Sequence, residues 1–451
     1  MKYIIWPQVV FLTVFLASCK SYKDPLAGLE TKSFLDEPSS NLESFDNSLK
    51  VINDETTLPE LQKAAALNNA SLKSAFLNWQ AELFKVYPAS SLPDPQLSFT
   101  HYIQEVETRV GPQENALGLM QKLPWFGKLD LKEAMQQSAA QSSRAAYEEI
   151  KNTLFSQIEQ LYFDYWYWQQ SLRITNENIK LLESMEPIVR NRIKVGEGSK
   201  DLIKLQIEIG KLVDVRDNLK LRKIPLDARL NQLLNRPAKA RVNLVATLGK
   251  TQENWNESRL LSAVKEHPGI LRFQHMINMK ARKIELADKN RYPDFSIGLK
   301  WIQTSSSFMN TKENGKDPVM ATVGVSIPWD QRKYGDLVHS ARNEYKAVNW
   351  AKREFQNSLE AKLKTALFEI EDNLRTLKLY RDTLIPKTEE SLNISLQAYR
   401  NAKESFIGFV DIQRQLLNFQ LVLERSRKNI AKQKAIIEEL TGSKLKREKL
   451  K

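Results

Sequence analysis

The motif Gln121-Lys-Leu-Pro-Trp-Phe-Gly-Lys-Leu129 returns in the second half of the chain as Ser326-Ile-Pro-Trp-Asp-Gln-Arg-Lys-Tyr-Gly335. Each copy closes a short run with strand-like alternation, Leu117-Gly-Leu-Met-Gln121 and Val323-Gly-Val-Ser-Ile327, and precedes a long polar stretch rich in alanine and glutamate. Each run follows another that opens after Pro-Asp: Pro93-Asp94 before Gln96–Ile103, and Pro293-Asp294 before Phe295–Ile302. A unit of strand, loop, strand, Pro-Trp turn and long helix therefore occurs twice. Duplication of this kind restricts the chain to architectures built from two like halves.

The helices are long. The spacing predicts a first helix over Leu58–Tyr87 and a second from just after Gly127 to about Val195. In the second, Leu154, Ile158, Leu161, Tyr165, Trp168, Leu172, Ile179 and Leu182 alternate steps of four and three, the period of a coiled coil. At 1.5 Å per residue that helix spans roughly 100 Å, more than a compact domain needs. Its partner runs from about Lys200 to Leu234 with Pro225 as a bend, and two glycines in Lys194–Lys200 permit the reversal between them. Leu359–Leu377 and Ile412–Ile437 repeat the pattern as a second hairpin, turning at Tyr399–Phe406, with Pro187 and Pro386 in corresponding places. Asn235–Ser258 is irregular, and short and longer helices follow at Arg259–Glu266 and Pro268 to about Asn290.

The N-terminus reads as an export signal: Lys2, an apolar Ile4–Leu16 too short to span a bilayer, and Leu16-Ala-Ser-Cys19. Cys19 is the sole cysteine, so no internal disulfide exists, and its place looks like that of a lipoprotein's acylated first residue, with an ordinary signal peptide ending in cysteine as the alternative. Ser21–Pro59 reads as a tether. The net charge of +13 lies partly in the tail Lys444–Lys451 and otherwise among helical glutamates, a solvated face and not a nucleic-acid surface. No stretch after the signal is a membrane helix.

Phe295–Trp301 and Val323–Ile327 alternate large apolar with small or polar residues, giving one face fit for lipid and one for a narrow or wet interior; Leu97–Thr100 is their equivalent. A small soluble sheet covering helices is the other reading of that pattern. Four strands are too few to close a barrel around a pore, and open edges in lipid are costly. If the strands span a membrane, several copies share one barrel; three copies give twelve strands, although the sequence does not set the number.

The exported N-terminus, duplicated hairpins and two Pro-Trp turns together resemble the TolC-like outer-membrane efflux proteins, over about Leu58–Gly442. The resemblance implies a mainly α fold with a small β part: duplicated long antiparallel hairpins plus four membrane strands per chain, in a trimeric α-barrel/β-barrel channel. It further implies a periplasmic adaptor (membrane fusion protein) and an inner-membrane pump as partners, outer-membrane lipid around the strands, and Gram-negative outer-membrane localisation. The residue after Cys19 is Lys20, not the inner-membrane-retaining aspartate. Pro124, Trp125, Gly127, Pro328, Trp329 and Gly335 are its structural turn residues, and Gly196, Gly198, Ser199, Asp201, Glu404, Ser405, Phe406, Asp411 and Arg414 its periplasmic tips. Among subgroups, the Pro-Trp-Phe-Gly turn and lipoprotein start look most like CusC/CzcC-type metal-efflux channels. Some members carry two acidic residues, three apart, after the second tip; here Asp411 fits the first position but Arg414 stands at the second, so a mixed Asp/Arg ring is expected in place of a doubled acidic one.

These expectations divide the chain into a signal peptide (1–18), a lipid-anchored tether (19–57), a first repeat (58–234, strand pair within 96–123), a linker (235–258), a second repeat (259–442, strand pair within 295–327) and a basic tail (443–451). No motif supports catalysis, a cofactor or a metal centre. Gly196-x-Gly198 lacks a third glycine and a preceding strand, and the four histidines are scattered. His275, Met276 and Met279 lie within one helical turn, where a soft metal is the alternative to two of them being packing residues. The aromatic run Tyr162–Trp168 reads by default as interhelical packing, with membrane-interface anchoring or carbohydrate stacking as alternatives. A passive efflux channel is therefore the leading reading. A coiled-coil periplasmic adaptor is its rival, against which two hairpins, few glycines and two strand pairs count.

Overall fold

The computed structural model describes residues 52–53, 55–194, 199–249, 255–307, 313–401 and 403–442. The signal segment with Cys19, most of the tether, Gly196 and Gly198 of the first tip, and the basic tail lie outside the described residues.

The chain opens with α1 (Leu58–Asn68), α2 (Ala70–Phe84) and α3 (Val86–Ser90), where the periodicity predicts one helix. Asn69 makes the first break. Its side chain accepts the Leu72 N–H at 3.0 Å and donates to the Leu233 carbonyl at 2.9 Å, so it caps a new helix and does not continue the old one. Strands β1 (Gln96–Val106) and β2 (Gln113–Leu123) follow, then α4 (Lys128–Lys194), a helix of 67 residues. α4 returns as α5 (Ser199–Leu221) and α6 (Lys223–Leu233). The break between these two falls at Arg222, three residues before the expected Pro225, because a proline without N–H is tolerated in a helix's first turn but not further in.

The second repeat comprises α7 (Glu257–Val264), α8 (Pro268–Lys289), β3 (Asp294–Thr304), β4 (Val319–Ser326) and α9 (Gln331–Leu379). A π-helical turn, Tyr380–Leu384, then leads into α10 (Ile385–Arg400), and α11 (Phe406–Thr441) returns. Pro386 explains the π turn: it cannot donate to the carbonyl four residues back, and widening the preceding turn accommodates its ring. Gly335 lies inside α9 and not in the Pro-Trp turn; its φ is not positive, and a Cβ there would meet nothing within 4 Å.

The aromatic run of α4 packs between helices. Tyr162, Phe163, Tyr165 and Trp166 are buried; Tyr165 donates to Asp227 at 2.7 Å, and Trp168 Nε1 donates to the Leu219 carbonyl at 2.7 Å. Each buried ring contributes about 1.5–3 kcal/mol once its polar atom is satisfied. The stretch after α6 is irregular yet packed: Val242 bridges Ile52, and Leu244 and Ala246 enter the same core. Ile52 and Thr56, at the end of the expected tether, are therefore buried parts of this body.

The four strands form one antiparallel sheet in the order β1-β2-β3-β4. The middle pairing joins the two repeats, because the whole first helical hairpin separates β2 from β3. β1 and β4 are left as edges. Among the described residues, no helix is long and apolar enough to cross a membrane.

Candidate functional site

The strand pairings sort the sheet into two unlike faces. Leu97, Phe99, Leu117, Leu119, Ile297, Leu299, Trp301 and Val323 share one face across the pairs Leu97–Leu119, Phe99–Leu117, Leu299–Leu119 and Ile297–Val323. The opposite face holds Ser98, Thr100, Gly118, Ser296, Gly298, Lys300, Thr322 and Gly324. The apolar face is open: Leu97 is 71% exposed, Phe99 69% and Val323 74%. An exposed apolar band of this extent calls for lipid or a partner. On the other face the glycines set the spacing. A Cβ on Gly324 would stand 2.4 Å from Ser296 Oγ, and one on Gly118 2.7 Å from Ser98 Oγ.

The first Pro-Trp turn locks the base of this sheet to the helices. Trp125 stacks between Tyr292 at 5.3 Å and Phe295 at 5.7 Å, and its backbone N–H donates to Asp294 Oδ1 at 2.7 Å. The buried Lys128 Nζ donates to the same Asp294 oxygen at 2.7 Å and to the Tyr292 carbonyl at 3.1 Å. Gly127, at φ +78°, supplies the left-handed residue that lets α4 leave the turn. The second turn, with Pro328 and Trp329, makes no such joint, and Trp329 is 90% exposed.

At the far end the two hairpins meet through a core of Leu182, Met185, Leu205, Tyr399, Phe406 and Phe409. Tyr399, on α10, is fully buried, and its hydroxyl donates to Asp201 on α5 at 3.3 Å. Burial, then the adjacent Asp201 carboxylate, push its phenol up to about 12. Arg192 of α4 holds its guanidinium 4.6 Å over the Tyr399 ring and donates to the Tyr399 carbonyl at 3.2 Å. A second tie joins α11 to α5. Arg414 grips Glu208 through Nε at 3.0 Å and Nη2 at 2.5 Å, and it also pairs with Asp411 at 3.2 Å. The hydrogen bonds from Arg414, with Lys211 adding to them against some desolvation, hold the Glu208 carboxyl below its ordinary 4.5. Beside them, Gln413 donates to Asn178 at 2.8 Å in a buried link from α11 to α4.

The chain matches no protein-family model, and no characterised protein matches it by sequence. Solved structures match over most of its length. CusC, in crystal structures following conformational changes that accompany folding and transmembrane channel formation, aligns at TM-score 0.73 and 14% identity over 85% of this chain and 92% of that one. VceC, an outer-membrane protein of Vibrio cholerae, aligns at 0.72 and 12% over 85% and 96%. The CmeC outer-membrane channel of Campylobacter jejuni aligns at 0.71 and 14% over 85% of each chain. The fold is that of the TolC-like channels. The resemblance read from the Pro-Trp turns and the fold therefore agree.

In this TolC-like fold, Ser199, Asp201, Glu404, Ser405, Phe406, Asp411 and Arg414 lie at or near the tips of the two hairpins. Ser405 caps α11, its Oγ accepting the Gly408 N–H at 3.3 Å. Sequence reasoning placed Tyr399 in the second turn without its partners, and missed Glu208, Arg192 and Asn178 as tip residues. These three sit inside ordinary helical periodicity, and only packing across elements distant in sequence reveals their partners. Among the described residues no group of three His, Cys, Asp or Glu side chains could hold a metal ion.

Proposed function

We propose that the chain is the outer-membrane exit duct of a tripartite efflux assembly, passively conducting substrate from the periplasm to the outside. Three copies would contribute four strands each to one barrel in outer-membrane lipid and two hairpins each to a helical duct. The tips would meet a periplasmic adaptor that links the duct to an inner-membrane pump. Cys19 would carry the lipid anchor, and metal ions are the substrate class to which the first turn and the lipoprotein start point. The tie between Arg414 and Glu208, with Asp411 beside it, would line the entrance as a ring of mixed charge, and opening would part the two hairpins there. The chain would conduct its substrate without transforming it.

One observation carries this reading. A four-stranded sheet with an open apolar face and two bare edges is joined through a locked turn to helices too long for a compact domain. Bare edges are tolerable in lipid only when they close. A single-hairpin adaptor has no use for such a sheet. The test is native mass in detergent together with conductance in planar bilayers. Discrete current steps from an assembly of about three copies, which would supply twelve strands, support the duct. A monomer that conducts nothing, even with the tip ties removed, overturns it.

A further inference from the structure

The internal duplication reaches down to hydrogen-bond register. Gln96 faces Met120 and Ser296 faces Gly324; Leu97 faces Leu119 and Ile297 faces Val323; His101 faces Asn115 and Trp301 faces Val319. Moving β1 by 200 residues and β2 by 204 lays the first hairpin onto the second at every one of these pairs. The same operation can be applied to the middle pairing, where Gln121 faces Ile297 and Leu123 faces Phe295. It carries β2 onto β4 and β3 back onto β1, placing Val325 opposite Leu97 and Ile327 opposite Pro95. It also carries the Trp125 turn, which closes over Asp294, onto the Trp329 turn, which would close over Asp94.

Within one chain this last joint cannot form. β1 and β4 are opposite edges with two strands between them, about 14 Å apart at 4.8 Å per strand. Both halves of the joint are accordingly bare: Trp329 and Ile327 on one edge, Leu92, Asp94 and Leu97 on the other, all exposed. Asp94 and Arg332 make no ion pair among the described residues. The occupant that fits each edge is the other edge of a second copy.

Resting on the reading of a shared barrel, in which β4 of one copy meets β1 of the next, we propose that the register there is Val325 to Leu97 and that the Pro328-Trp329 turn latches over Asp94 of that next copy. Asp94 would accept the Trp329 backbone N–H and the Arg332 guanidinium, as Asp294 accepts the Trp125 N–H and Lys128. Arg332 occupies the place of Lys128 counted from the Pro-Trp pair, but α9 starts one residue sooner, so the cation stands second in its helix and not first. The longer guanidinium suits that setback. Trp329 would rest on Leu92 and Pro95, the counterparts of Tyr292 and Phe295.

Two measurements on the full-length protein test the proposal. With Cys19 the sole natural cysteine, Leu97→Cys and Val325→Cys are combined and oxidised in the purified assembly, with each single variant as a control. The expected product is a covalent oligomer from the double variant only. Leu97→Cys with Ala321→Cys, four residues out of register and roughly 13 Å away, should not link. In parallel, Asp94→Arg and Arg332→Asp should each lower the melting temperature of the assembly, and the double exchange should restore it. Linkage at Ala321 instead of Val325, or charge variants indistinguishable from the parent, overturns the latch while leaving the barrel standing. Absence of any oligomer in the unmodified protein overturns the barrel itself.

Discussion

Replacing Arg414 by alanine should ease the separation of the two hairpin tips, and the structure sets the size of the effect. Arg414 makes a two-pronged contact to Glu208, whose side chain is only 12% exposed, while the arginine itself is 49% exposed. A charge-assisted bond in a covered setting is worth about 1.5–3 kcal/mol, and a fully exposed pair about 0–1 kcal/mol. The half-open arginine places this pair between those limits. Lys211 remains 2.9 Å from Glu208 after the substitution and offsets part of the loss. The net cost is therefore about 1–1.5 kcal/mol, a factor of about 5–12 in the ratio of open to closed tips. If the chain is the duct proposed above, single-channel recording reads that ratio as open probability. Glu208→Gln should produce a comparable rise, and Arg414→Ala with Glu208→Gln should add little to either, because both break one contact. Strictly additive effects, or an unchanged open probability in both single variants, would show that the contact does not restrain the tips.

Three further outcomes follow from local geometry. Trp125→Ala removes a ring stacked between Tyr292 and Phe295 and should lower stability by about 2–3 kcal/mol in thermal melts of the purified assembly, whereas the exposed Trp329, measured in monomer, should cost far less. Gly269→Ala places a Cβ 2.5 Å from Phe355 Cζ and should destabilise by about 1–3 kcal/mol, while Gly335→Ala, in open helix, should be neutral or stabilising by up to about 1 kcal/mol. His267 caps α8 by accepting the Gly269 N–H on Nδ1 at 3.0 Å, and burial pulls its pKa below the ordinary 6.5. Its folded value is depressed, so its contribution is complete above 6.5 and is lost as pH falls through the lower folded value. Melting temperature should fall on acidification below 6.5 in the parent and less in His267→Asn, which keeps a capping acceptor; parallel curves would refute the assignment.

Much of this architecture was legible because its causes are local or repeated. The four strands were found from alternation, though β2 begins at Gln113 and β4 at Val319, earlier than their apolar runs. Those leading residues are held by the neighbouring strand and not by their own pattern. The long α4 was legible from its period, and the break at Asn69 was not, since an asparagine inside a periodic stretch caps only when a distant carbonyl, here that of Leu233, is there to hold it. Arg414 was singled out as a departure from an acidic pair. Its partner Glu208 stood in an unmarked helix more than two hundred residues earlier.

By itself the sequence determined that the chain is two like halves, each with a strand pair, a Pro-Trp turn and a long helical hairpin, because periodicity and turn chemistry act within a few residues of one another. Only the tertiary structure decided that β2 pairs with β3, that the first Pro-Trp turn locks onto Asp294 while the second stays bare, and that Tyr399 and Arg414 tie the hairpins at their tips. Each of those contacts joins residues separated by scores to hundreds of positions. Which of the two motifs finds its partner within the chain is settled by strand order, since both share the Pro-Trp pair, a following cation and an upstream aspartate, and only one has a neighbouring edge within reach.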